Sequence, residues 1–80
     1  MRVYIATVID EEGDIIQIAD VDGIEIVTFL SDLNARDISG WTVEQLTVRV
    51  DTLPRDGSTV HILIGSNKIT LSDHLVASQE

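Results

Sequence analysis

Apolar and polar side chains alternate weakly from Arg2 to Ile9, which puts Val3, Ile5, Thr7 and Ile9 on one face and Arg2, Tyr4, Ala6 and Val8 on the other. A two-residue period is that of an extended chain, so this stretch is expected to be a strand. Asp10-Glu11-Glu12-Gly13-Asp14 follows as a turn in which Gly13 can accept positive φ, and the aliphatic run resumes from Ile15 to Val21 as a second strand. Asp22-Gly23 between two aliphatic runs favours a tight primed turn into a third strand, Ile24 to Leu30. The first three strands are thus expected to form an antiparallel meander.

After Leu30 the period changes. Ser31 fits a helix N-cap, Asp32 suits a first turn, Leu30, Leu33 and Ile38 can share a face, and Gly40 stands where a helix would stop, so a short helix is expected over 31–39. Thr42 and Gln45 have capping-box spacing and would open one more helical turn. The β-branched residues beyond argue against a long helix there. Leu46, Val48 and Val50 instead alternate with Thr47, Arg49 and Asp51 as a half-buried strand does.

Leu53 to Gly57 reads as a turn, Thr59 to Ile64 as a strand with Val60, Ile62 and Ile64 inward, and Gly65-Ser66-Asn67 as a second turn. Lys68 to Leu71 adds a short strand with Ile69 and Leu71 inward, and from Ser72 a helical turn or frayed tail is expected. The expected fold is α+β, one domain over 1–80 in the order β-β-β-α-β-β-β. A small all-β barrel is the alternative if 31–40 is a loop.

Composition supports strands, because Ile and Val dominate the apolar set while Tyr4, Phe29, Trp41 and Met1 are its only large aromatic or flexible members. The second and third expected strands carry aliphatics on both faces, so each face needs a cover: helix on one side, more sheet or a second chain on the other. A homodimer follows as one expectation. There is no cysteine, so no disulfide or thiolate metal site forms. Met1 to Ile5 shows no secretory pattern and no apolar run approaches a membrane span, which makes a cytoplasmic location the default expectation.

Charge narrows the partners. The formal net charge is -9, and the first 35 residues hold eight acidic residues against one basic, whereas the rest hold six against four. Direct binding to nucleic acid or an anionic membrane is disfavoured, since both require a basic surface. Calcium is disfavoured as well: Asp10-x-Glu12-x-Asp14 opens like an oxygen-ligand loop, but Ile15 stands where such a loop needs Gly and Val21 where it needs a bidentate Glu. Zinc would need His61 and His74 with Asp51, Asp56 or Asp73, at no recognisable ligand spacing. No Gly-x-Ser-x-Gly elbow or phosphate-binding glycine loop occurs, so no metal, cofactor or catalytic residue is expected.

Trp41 is expected to plug one end of the core with its indole N–H on a carbonyl, in preference to anchoring an interface. Arg49 and Arg55 are expected to pair with Asp51 and Asp56.

What remains is the acidic meander: Asp10, Glu11, Glu12, Asp14, Asp20, Asp22 and Glu25 are the candidate partner-binding residues. The expectation is a non-enzymatic protein whose contiguous negative field engages a basic surface, blocking a nucleic-acid-binding protein by imitating phosphates. In size and charge the chain looks like small phage and mobile-element proteins that inhibit host defence, anti-CRISPR proteins among them. The runner-up is an assembly module that uses two-sided apolar strands, with the charge only solubilising.

Overall fold

Tyr4, Ala6 and Val8 are buried and their odd-numbered neighbours in the first strand are not, so the alternation read from the sequence sets which side of the sheet is covered. The computed structural model describes residues 2–37 and 40–75. Its elements are β1 (Arg2–Ile9), β2 (Ile15–Asp20), α1 (Gly23–Asp37), α2 (Val43–Asp51), β3 (Val60–Ile64) and β4 (Asn67–Leu75).

The α+β class holds. The strands form one open antiparallel sheet in the order β2-β1-β4-β3, so the barrel alternative is excluded. The element order is ββααββ, with two helices in place of two expected strands. Hairpins β1–β2 and β3–β4 meet through the inner pair β1–β4, and the connection through α1 and α2 crosses from one outer strand to the other. Ile26, Val27 and Leu30 of α1 and Leu46 and Val50 of α2 pack on Tyr4, Ala6, Val8, Ile62, Ile64, Ile69 and Leu71 to make the core. The opposite face of the sheet carries a polar set: Gln17 Nε2 donates to Thr7 Oγ1 at 3.0 Å, His61 Nδ1 lies 3.2 Å from Thr70 Oγ1, and His74 Nε2 lies 3.0 Å from Ser72 Oγ.

The first correction concerns Ile24 to Leu30, which is helix and not a third strand. Asp22-Gly23 does not make a hairpin turn. Asp22 Oδ1 accepts the Ile24 N–H at 3.0 Å and its carbonyl accepts the Glu25 N–H at 3.2 Å, so Asp22 caps α1. Gly23 permits a close approach: a Cβ there would lie 3.1 Å from Val50 Cγ1 and 3.4 Å from the Tyr4 ring, so these side chains would have to give by a few tenths of an ångström. The two-sided apolar third strand on which the assembly reading relied is therefore absent.

The second correction concerns Leu46 to Asp51, which belongs to α2 and is not a strand. The Thr42–Gln45 capping box does form, with Gln45 N–H donating to Thr42 Oγ1 at 3.1 Å and Thr42 N–H donating to Gln45 Oε1 at 3.0 Å, and the helix it opens runs on through the β-branched residues. Leu46 and Val50, one helical turn apart, are fully buried, while Val48 is 58% exposed. Of the short helix expected over 31–39, Ser31 to Asp37 is the latter part of α1, so Ser31 lies inside that helix and is no cap. Ile38 and Ser39, which the same expectation included, lie outside the described residues. From Ser72 the chain stays in β4 to Leu75, not in a helical turn, and 76–80 lie outside the described residues.

Among the described residues, no helix is long and apolar enough to cross a membrane.

Candidate functional site

The seven candidate carboxylates fall into two groups at opposite ends of β2. Asp10, Glu11, Glu12 and Asp14 belong to the β1–β2 turn, whereas Asp20, Asp22 and Glu25 surround the passage from β2 into α1. From Asp14 to Asp20 the extended chain rises about 20 Å. The screening length at physiological salt is about 8 Å. Two separate negative poles result, in place of the single contiguous field expected from the sequence.

Within each pole some carboxylates are committed to the backbone. Asp10 Oδ1 accepts the N–H groups of Glu12 and Asp14, both at 2.9 Å, and the Gly13 N–H donates to the Asp10 carbonyl with Gly13 at φ 85°. Asp20 Oδ1 accepts the Asp22 N–H at 2.9 Å, and Asp22 caps α1 as described. Such local bonds are the reason Asp suits these turns. Glu11, Glu12, Asp14 and Glu25 are exposed, and their side chains make no hydrogen bond among the described residues. Glu25 also sits in the first turn of α1, where a negative charge is favoured by the helix dipole. These four are the carboxylates available to a partner.

Between the poles lies a feature the sequence reading missed. β2 is an outer strand with no charged side chain before Asp20, and Ile15 and Ile16 are 67% and 53% exposed on its two faces. Val21 and Ile24, within the second pole, are exposed as well. The aliphatics of β2 and the acidic turns at its ends were visible in the sequence. What hid their meaning was the expected third strand, which would have covered this edge.

The opposite edge differs. The Asn34 side chain holds the Trp41 backbone through Nδ2 donating to the Trp41 carbonyl at 2.7 Å and the Trp41 N–H donating to Oδ1 at 3.0 Å. The indole N–H then donates to the Leu63 carbonyl of β3 at 2.8 Å, which is the carbonyl partner expected for this side chain. Arg49 does not pair with Asp51. Its guanidinium lies 5.8 Å from the Trp41 ring centroid, over the ring face, so the expected pairing is corrected to a cation–π contact. Arg55 and Asp56 form no ion pair either. Among the described residues the ion pair is Arg2–Asp73, in which Arg2 Nε donates to Asp73 Oδ2 at 3.0 Å and Nη2 donates to the same oxygen, while the Arg2 guanidinium lies 5.1 Å from the Tyr4 ring centroid. Asp73 is wholly buried and its Oδ1 has no hydrogen-bond partner among the described residues.

His61 and His74 form no metal-binding set with Asp51, Asp56 or Asp73, although an isolated β-bridge sets His74 opposite Asp56. Among the described residues no three His, Cys, Asp or Glu side chains are placed to hold a metal ion. Two shallow depressions flank Trp41, one along α2 beside Gln45 and Arg49, the other along β3 and β4 beside His61 and Lys68. A third lies at the acidic turn, where Glu11 and Glu12 face Ser66 of the β3–β4 turn and Asn67 at the start of β4. Comparison with protein-family models, with curated proteins and with solved structures finds no match to this chain.

Proposed function

We propose that this protein is a non-enzymatic binding protein whose acidic poles engage a basic surface on a partner, the best-fitting partner being a protein that itself binds nucleic acid and that the carboxylates block by standing in for phosphates. The observation that supports this reading is the pair of poles: Glu11, Glu12, Asp14 and Glu25 hold exposed charge on a chain of formal charge -9, and none of the four is engaged in a hydrogen bond among the described residues. Charge fixed in this way accelerates encounter with a basic surface and repels nucleic acid itself. Asp10, Asp20 and Asp22 belong to the same poles but chiefly hold the turns in shape.

The test reverses only the four uncommitted carboxylates, as Glu11→Lys, Glu12→Lys, Asp14→Lys and Glu25→Lys together. A pull-down from lysate with the unaltered chain should recover a basic nucleic-acid-binding protein at low salt and release it at high salt, and the reversed chain should recover none. Equal recovery by the reversed chain, with its thermal transition preserved, would defeat the proposal.

A further inference from the structure

The two outer strands of the sheet are not equally available. In the β1–β2 ladder the Asp10 N–H donates to the Asp14 carbonyl, and pairing partners of the same parity are Val8–Ile16, Ala6–Ile18 and Tyr4–Asp20. Antiparallel ladders alternate, so Ile15, Gln17 and Ala19 turn their backbone N–H and C=O groups away from β1, toward the free edge. On β3 the same alternation turns His61 and Leu63 outward, and there the Trp41 indole occupies the Leu63 carbonyl. One edge is blunted by a tryptophan. The other is six residues of Ile-Ile-Gln-Ile-Ala-Asp with no proline, lysine or arginine, none of the devices that usually guard an outer strand apart from its acidic ends.

Those ends determine what can pair there. A second copy of this chain is a poor occupant in either direction: antiparallel pairing sets the Asp10–Asp14 turn of one copy beside Asp20 and Asp22 of the other, and parallel pairing sets like turn beside like turn. Both bring carboxylates together. A strand with basic ends meets the opposite condition, since its backbone satisfies Ile15, Gln17 and Ala19 while its charges lie against the poles.

We infer that the free edge of β2 is the docking site, and that its occupant is an extended segment of a basic protein, apolar at alternate positions and carrying Lys or Arg beyond both ends. This rests on the reading above that the partner is basic. The segment adds as a fifth strand, with side chains beside Ile16 and Ile18 on the helix side and beside Ile15 and Ala19 on the other. Ile15 and Ile16 are the apolar area it covers.

The experiment uses the full chain, isotopically labelled, and a nine-residue peptide of alternating valine and threonine with two lysines at each end. Amide hydrogen exchange at Ile15, Gln17 and Ala19 is expected to slow at least tenfold on saturation in low salt, with His61 and Leu63 unchanged. The same peptide N-methylated at every valine and threonine, which blocks both of its edges, should not slow it, nor should one with glutamates in place of the lysines. Ala19→Pro, which removes an outward N–H without a ladder bond to β1, should lose the effect.

Protection at His61 and Leu63 instead, or equal binding by the N-methylated peptide, would overturn strand addition whether or not Ala19→Pro folds. A dimer that protects Ile15, Gln17 and Ala19 without peptide would overturn the basic occupant. If the fourfold Lys reversal abolishes capture of a natural partner and Ala19→Pro leaves it intact, the acidic reading survives and the edge inference fails. If Ala19→Pro abolishes capture and the reversal changes nothing, the requirement for a basic occupant fails.

Discussion

Replacing Leu46, Val48 and Val50 by alanine one at a time distinguishes helix from strand in the segment where alternation and capping point to different elements. On α2, Leu46 and Val50 are fully buried and Val48 is 58% exposed. Leu46→Ala removes three buried carbons, about 2.4 kcal/mol by transfer alone, and the cavity left behind raises the cost to about 3 kcal/mol. Val50→Ala removes two, for about 2 kcal/mol once the cavity is included, less a few tenths regained because alanine is the better helix former.

For Val48 the two effects nearly cancel. Less than half of the side chain is buried, worth about 0.6 kcal/mol, against a helix-propensity gain of about 0.5 kcal/mol. With an unfolding entropy of about 2.1 cal/mol/K per residue, 1 kcal/mol moves the transition of a chain this short by about 6 °C. Differential scanning calorimetry should therefore show Tm falling by about 18 °C for Leu46→Ala and about 10 °C for Val50→Ala, with Val48→Ala within about 3 °C of the parent. A strand would present all three side chains on one face, so a loss at Val48 matching that at Val50 would refute the helix and with it the two-layer arrangement that leaves β2 uncovered.

Asp22→Ala removes the α1 cap and should cost about 1 kcal/mol in urea denaturation, identifying Asp22 as a fold residue within the acidic pole. Trp41→Phe deletes the indole donor and keeps most of the ring, so chemical denaturation should show a loss of about 1 kcal/mol and hydrogen exchange should speed up around Leu63. The Ser58 hydroxyl and backbone N–H hold the Asp56 carboxyl below its ordinary range, so NMR titration of Ser58→Ala should show Asp56 taking up its proton at higher pH than in the parent. Because the folded-state value is the depressed one, this interaction supports folding above the ordinary carboxylate range and fades as pH falls through the depressed value.

The sheet was legible wherever one face is covered and the other is not. Val60, Ile62 and Ile64, and Ile69 and Leu71, alternate as the buried face of the β3–β4 hairpin requires. The helices were obscured by ambiguity that is physical. Asp-Gly serves equally as a primed turn and as a cap followed by a first helical residue, and what decides between them is that Ile26, Val27, Leu30 and Leu33 recur at helical spacing. In α2, Leu46 and Val50 fit both a strand face and a helical turn, with Val48 between them pointing to the wrong one. The acidic residues of the candidate site and their division between two turns were read directly, but the open apolar edge between them depends on β2 being outermost. That follows from strand order, which is fixed by pairings between distant parts of the chain.

Those distant pairings have a kinetic consequence. The inner pair of the sheet sets positions 2–9 against positions 68–75, so neither hairpin gains its second neighbour until nearly all of the intervening sequence exists. Loop closure over such a span opposes fast folding. On a growing chain the β1–β2 hairpin waits with both edges bare, and the carboxylates at its two ends keep waiting copies from pairing with one another. The charge that we propose meets a basic partner would thus first act during synthesis, as protection against aggregation.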